Sequence, residues 1–204
     1  SSHTAGAVRL GLLARNIYKN TPTKVLFRLY NSYAHTGKGH GTEKGLLAGV
    51  LGLPVDDRRI RNIFESELAK SIDYKFEYYD NFKLHPNAVD IIFSGEHKMS
   101  ISGESVGAGE IAIRKINDFN VKLTGRYNTV LLVYKDMPGM ISQVTSLLQY
   151  HNINIASLNC DRSAKGKEAS MIISIDGHID TTVVETIEEI PDVYFVSYIE
   201  KLEN

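Results

Sequence analysis

Two polar segments near the start of the chain carry the side chains best suited to chemistry. The first is Ser1-Ser2-His3-Thr4-Ala5-Gly6, which sets hydroxyls beside a histidine just ahead of a helical pattern. Hydroxyls there can cap the helix, and a helix start favours anions. The second is His35-Thr36-Gly37-Lys38-Gly39-His40-Gly41-Thr42-Glu43, between a strand pattern and a helix pattern. Its glycines permit unusual backbone conformations and close approach of a substrate. Lys38 and His40 can bind a carboxylate or move a proton. The spacing is not that of a Walker A loop. Capping alone would explain the first segment, and a loop histidine often has no chemical role. The two histidine-bearing segments together favour a site. A third segment, His85-Pro86-Asn87-Ala88, reads either as a rigid turn with internal hydrogen bonds or as a small-ligand contact through His85 and Asn87. Ser105-Val106-Gly107-Ala108-Gly109 reads as a structural turn.

The elements that must position these residues are mixed in the first half. Ala7 to Tyr18 reads as a helix with Val8, Leu12 and Leu13 towards the core, and Val25 to Tyr30 as a strand. Thr42 is expected to cap a helix carrying Leu46, Leu47, Val50 and Leu51. Asp56-Asp57 start another, with Ile60, Ile63, Phe64 and Leu68 inside. Tyr74, Phe76 and Tyr78 alternate as a strand. Further strands are expected around Val89–Phe93, Lys98–Gly103, Glu110–Ile116 and Asn120–Leu123. Helices early and strands late indicate α+β.

A polar stretch, Gly125-Arg126-Tyr127-Asn128, separates this half from a second pattern. That pattern runs strand (Thr129 to Tyr134), turn (Lys135-Asp136-Met137-Pro138-Gly139) and helix (Ile141, Val144, Leu147, Leu148). Asp136 is expected to cap that helix, and Pro138 is tolerated in its first turn. Asn152-Ile153-Asn154-Ile155 opens a strand running towards Cys160, and Ser163 to Lys167 forms a hairpin turn. Ala169, Met171, Ile173 and Ile175 alternate as the next strand. Val183, Val184, Ile187 and Ile190 form a helix, and Val193, Phe195, Ser197 and Ile199 a last strand. The order is βαββαβ, a ferredoxin-like plan. The Asp136-x-Pro138-Gly139 turn, the Asn152-to-Ile155 entry and this element order resemble the ACT domain, a module that commonly binds amino acids. At Gly139 a missing Cβ allows a ligand close to the backbone, and the following helix start suits a carboxylate. On that reading Asp136, Gly139, Asn152 and Asn154 are possible ligand contacts. A tight turn within a dimerisation module is the other reading.

Composition narrows the function classes. The chain has 204 residues, 43% hydrophobic and 23% charged, with net charge −1. This suits globular domains and gives no electrostatic reason to expect nucleic acid or an anionic membrane. No apolar run reaches the roughly 20 residues of a bilayer span, and no signal-peptide pattern is seen, so a cytoplasmic protein is expected. The single cysteine, Cys160, allows no internal disulfide and no self-contained iron–sulfur cluster, which needs several thiolates. Cys160 itself is expected to be buried in a strand.

Taken along the whole chain, Ser1-Ser2-His3-Thr4-Ala5-Gly6, Gly37-Lys38-Gly39-His40-Gly41-Thr42, Asp57-x-Arg59-Ile60-Arg61 and His85-Pro86-Asn87 resemble the β chain of bacterial iron–sulfur-dependent L-serine dehydratase. The family pattern usually has a further Ser and a Gly-Pro before Ser1, so native residues are expected upstream. Ala108 stands where Gly is common. The resemblance implies a domain over 1–125 similar to the allosteric-substrate-binding domain of some phosphoglycerate dehydrogenases, then an ACT domain over 128–204. It implies a lyase subunit that converts L-serine to pyruvate and ammonia. A [4Fe–4S] cluster carried by a partner α subunit would serve as Lewis acid, with no pyridoxal phosphate and no metal held by this chain. His3 and His40 would transfer protons or orient the substrate, with base and orienter unassigned. Ser1, Ser2, Thr4, Lys38 and Gly39 would bind L-serine. A homodimer through the ACT domain is expected. The alternative is a purely regulatory, serine-sensing module.

Overall fold

The computed structural model describes residues 3–36 and 41–203 in full and the backbone of Ser2. The chain forms two compact units, Ser1–Thr124 and Gly125–Asn204. In the first, α1 (Ser2–Tyr18) leads to β1 (Lys24–Tyr30), α2 (Ser32–Thr36) and α3 (Gly41–Val50). A 3-10 helix (Arg58–Glu65), α4 (Glu67–Lys70), β2 (Asp73–Tyr79), β3 (Ala88–Ser94), β4 (Met99–Gly107), β5 (Glu110–Ile116) and β6 (Phe119–Leu123) follow. The strands form one sheet in the order β2-β1-β3-β4-β5-β6. β1 runs parallel to β2 and the other neighbours are antiparallel. The expected α+β class is what the structure shows.

Alternation builds the core of this unit. Val25, Phe27 and Leu29 of β1, Val89, Ile91 and Phe93 of β3, and Ile101 of β4 are buried. α1 lies on this sheet and buries Leu10, Leu13 and Ile17. Each such side chain contributes roughly 1.5–3 kcal/mol on burial.

Glycines decide how α3 packs on α1. Gly41, Gly45 and Gly49 recur every fourth residue, on one face of α3. A Cβ at Gly41 would strike Thr4 Oγ1. One at Gly45 would stand 2.8 Å from Thr4 O, and one at Gly49 would strike Val8 O. From the other side, a Cβ at Gly11 would stand 2.6 Å from Leu46 O. Contacts therefore advance in the same direction along both helices. α1 and α3 run parallel, backbone against backbone, and start at the same end.

Several sequence expectations need correction here. α1 begins at Ser2, so His3 and Thr4 lie in its first turn rather than ahead of it. α3 begins at Gly41, and Thr42 is buried inside it instead of capping it. Asp57 does cap a helix, accepting from Arg59 N at 2.8 Å, but the helix is 3-10 and Leu68 beyond it is exposed. α2 was not legible, because five residues offer no helical period.

The second unit has β7 (Asn128–Lys135), α5 (Met140–Tyr150), β8 (Ile155–Arg162), β9 (Glu168–Ile175), α6 (Thr181–Glu188) and β10 (Val193–Ile199). The sheet order β10-β7-β9-β8 is antiparallel, as the ferredoxin-like plan requires. Val130, Leu132 and Tyr134 of β7 pack with Met171 and Ile173 of β9, Val144 and Leu148 of α5, and Val183 and Ile187 of α6. Three details differ from the sequence reading. Met140, not Ile141, starts the buried stripe of α5. A bulge between Val193 and Phe195 breaks the alternation of β10, so Phe195 is exposed and Val196 enters the core. Cys160 is exposed, because β8 is an edge strand whose residues are mostly open to solvent. Among the described residues no helix is long and apolar enough to cross a membrane.

Candidate functional site

The shared starting end of α1 and α3 brings His3 and Thr4 of the first segment beside Gly41, Thr42 and Glu43 of the second. Two parallel helix starts place two sets of free amides and two positive dipole ends side by side, a setting that favours an anion. His3 is exposed in the first turn of α1, and its ring centroid lies 6.4 Å from that of Tyr33 in α2. Thr4 is half-buried against Gly41, the residue that follows His40 in sequence. Ser1, the Ser2 side chain, Lys38, Gly39 and His40 lie outside the described residues.

Glu43 was in the second segment but drew no role from its sequence. It is buried in the first turn of α3, where the helix dipole favours a carboxylate. The Tyr78 hydroxyl of β2 donates to Glu43 Oε1. Burial first, then this bond to Glu43, pushes the Tyr78 phenol well above its ordinary value, so it stays a donor. The pair ties the start of α3 to the sheet edge. His35 pairs with Asp80 at 2.6 Å, but both side chains are more than half exposed, and such pairs add little.

The His85-Pro86-Asn87 turn joins the same region. Asn87 N donates to His85 Nδ1 at 3.0 Å, which leaves the neutral ring's proton on Nε2. His85 thus has the turn-stabilising role that the sequence allowed. Tyr33 N donates to Pro86 O at 3.3 Å and Ser105 N to Asn87 O at 3.1 Å. Asn31, left-handed at φ 55°, holds the preceding loop by donating to Asn81 O and His85 O and accepting from Asn81 N. Asn31 was missed in the sequence; an Asn directly after a strand was the available signal. Segments more than 80 positions apart therefore meet around α2.

In the second unit the expected contacts separate. Gly139 adopts φ 89° at the start of α5, with no side-chain cap and open space where a Cβ would stand. Asp136 does not cap α5. Its carboxylate accepts from Gly166 N at 3.0 Å and Arg162 Nη1 at 3.1 Å, and these lower its pKa, the amide most. Asn152, at φ 57°, ends α5, and Asn154 Nδ2 donates to Asp176 Oδ2 at 2.8 Å. Gly139 and Asn152 flank a helix about 16 Å long. One copy of the unit does not bring them into one site.

Comparisons with known proteins agree with this architecture. The AHAS small subunit-like ACT domain matches residues 130–195. The probable L-serine dehydratase beta chain of Bacillus subtilis is 34% identical over 98% of this chain and 91% of its own length. The L-serine dehydratase beta chain of Peptoniphilus asaccharolyticus is 39% identical over 92% of this chain and 84% of its own. A D-3-phosphoglycerate dehydrogenase of Bacillus subtilis is 26% identical over 77% of this chain but only 30% of that enzyme. The class is thus an α+β unit, with paired helix starts and His3 on one of them, joined to an ACT domain. Within it, the chain belongs to the L-serine dehydratase beta-chain family.

Proposed function

We propose that this chain is the β subunit of an L-serine ammonia-lyase. The supporting observation is the parallel α1–α3 pair, which starts His3, Thr4 and Gly41 at one anion-favouring end. Elimination of water from L-serine, followed by hydrolysis of the enamine product, yields pyruvate and ammonia. Three tasks arise: holding the carboxylate, removing the Cα proton and assisting departure of the hydroxyl. The paired helix starts, with Ser1, Ser2, Thr4, Lys38 and Gly39, suit the first task. His3 and His40 suit the second, one as base and the other as orienter.

The third task lies beyond this chain. Its one thiol, Cys160, is in the ACT domain, and the described residues hold no group of three or more metal-ligating side chains. These residues do not fit a [4Fe–4S] cluster, which a partner α subunit would hold instead. A homodimer through the ACT domain would cover the edge strands β8 and β10.

Co-expression with a cysteine-bearing α chain, followed by anaerobic assay with L-serine, tests the proposal. Pyruvate formation requiring both chains is expected, and its absence would refute the subunit role. The uncapped start of α5 at Gly139, within the ACT match, favours a second reading as a serine sensor. That reading prevails if His3 and His40 variants keep full turnover but lose cooperativity towards serine.

A further inference from the structure

One aromatic side chain of the first unit stands almost wholly in water. Phe82, in the loop between β2 and β3, is 99% exposed, and Tyr79 and Leu84 on either side of it are 44% and 40% exposed. Large aromatic side chains of this kind are the usual anchors of protein interfaces. The loop that carries the ring is latched. Asn31 Nδ2 donates to Asn81 O at 2.9 Å, His85 O at 3.2 Å and Leu84 O at 3.3 Å, and Asn31 Oδ1 accepts from Asn81 N at 2.9 Å. Asn31 N donates to Tyr79 O at 2.9 Å, and within the loop Lys83 N and Leu84 N donate to Asn81 Oδ1 and Asn81 O, each at 3.0 Å. The backbone on both sides of Phe82 is therefore held, and one side chain, Asn31, gathers Tyr79, Asn81 and Leu84 around it. A ring presented on a fixed loop loses little further freedom on binding.

The place of the loop in the fold indicates what covers it. Pro86 follows Phe82 by four residues, a span of at most about 14 Å. Pro86 O accepts from Tyr33 N at 3.3 Å, and the Tyr33 ring neighbours His3. The loop thus leads directly into the candidate site, and that site lacks the thiolates that a second chain would bring. Self-association has its own open edges, strands β8 and β10 of the ACT unit. We propose that the Phe82 loop is the anchor on which the cysteine-bearing α chain docks, next to His3. The ring enters an apolar pocket of that chain, and Tyr79 and Leu84 exclude water around it. The inference rests on the β-subunit reading and names the surface through which the partner completes the site.

Anaerobic calorimetric titration of the full β chain with the α chain provides the test, using Phe82→Ser and Phe82→Leu. An exposed ring adds nothing to folding, so Phe82→Ser should leave the melting temperature of the β chain unchanged. It should weaken α/β association at least about tenfold, and Phe82→Leu, which keeps an apolar side chain, should weaken it less. With the α chain saturating, Phe82→Ser should turn over L-serine like wild type, because the ring touches no substrate. Unchanged α/β affinity in Phe82→Ser, beside a wild-type pair that assembles, would overturn the anchor alone. Loss of β-chain self-association in that variant, with α/β affinity kept, would also overturn it and give the ring to a second copy. A wild-type β chain that binds no α chain would overturn the subunit reading and this inference with it.

Discussion

Two helix starts in this molecule use glycine for opposite reasons. At α3 the glycines are needed because there is no room: a Cβ at Gly45 or Gly49 would run into the backbone of α1. At α5 there is ample room around Gly139, and glycine is needed for the left-handed φ of 89°. Close packing makes the α1–α3 end a fixed pair of helix starts supported by Glu43 and Tyr78. The α5 end stands singly, with its nearby carboxylate, Asp136, turned to Arg162 and Gly166. One arrangement builds a shared anion-favouring corner; the other leaves a simple turn open.

Mutations can break this contrast. The largest effect is expected on turnover: His3→Ala or His40→Ala in an assembled α/β complex should lower it by roughly 10²–10⁴-fold. Size-exclusion chromatography should show assembly intact, and near-normal pyruvate formation would remove that histidine from the site. Next, Gly49→Ala should destabilise the first unit by about 1–3 kcal/mol through overpacking, less the gain in helix propensity. Gly139→Ala should cost about 1–2 kcal/mol through backbone strain alone. Chemical denaturation distinguishes them, because Gly139→Asn, which tolerates a left-handed backbone, should recover stability while Gly49→Asn should not. A Gly49→Ala variant as stable as wild type would contradict the close helix contact.

Tyr78→Phe should cost about 1–3 kcal/mol by removing a donor from the buried Glu43 carboxylate. Glu43→Gln combined with Tyr78→Phe should fall short of the sum of the single effects, which a double-mutant cycle measures. The smallest effect concerns pH. Asp136 has a lowered pKa in the folded state, so its contribution is present above the ordinary carboxylate value of about 3.9 and is lost as pH falls through the folded value. Asp136→Asn should therefore lower the ACT unit's stability near neutrality and flatten its acid limb below about pH 4, where the two proteins converge. An identical acid limb in both proteins would show that the Arg162 and Gly166 contacts do not act in this way.

Much of the fold was legible because alternation and helical spacing are local. The βαββαβ order and strands such as β5 follow from period and turn residues alone. Failures occurred where a distant element intervened. The bulge in β10 exposes Phe195 because the register shifts against β7. Cys160 is exposed because strand order makes β8 an edge, which no local pattern records. Thr42 looked like a cap, but the helix starts earlier, where Gly41 meets Thr4. The four-residue spacing of Gly41, Gly45 and Gly49 was present in the sequence, yet spacing alone does not identify the facing helix.

Amino-acid order by itself determined the element types, the ACT-like plan and the histidine-bearing segments, since these depend on residues close in the chain. Tertiary structure alone decided that α1 and α3 run parallel from one end. It also decided that Gly139 and Asn152 stand apart. Those facts depend on contacts between residues tens of positions apart, and such contacts leave no period in the sequence.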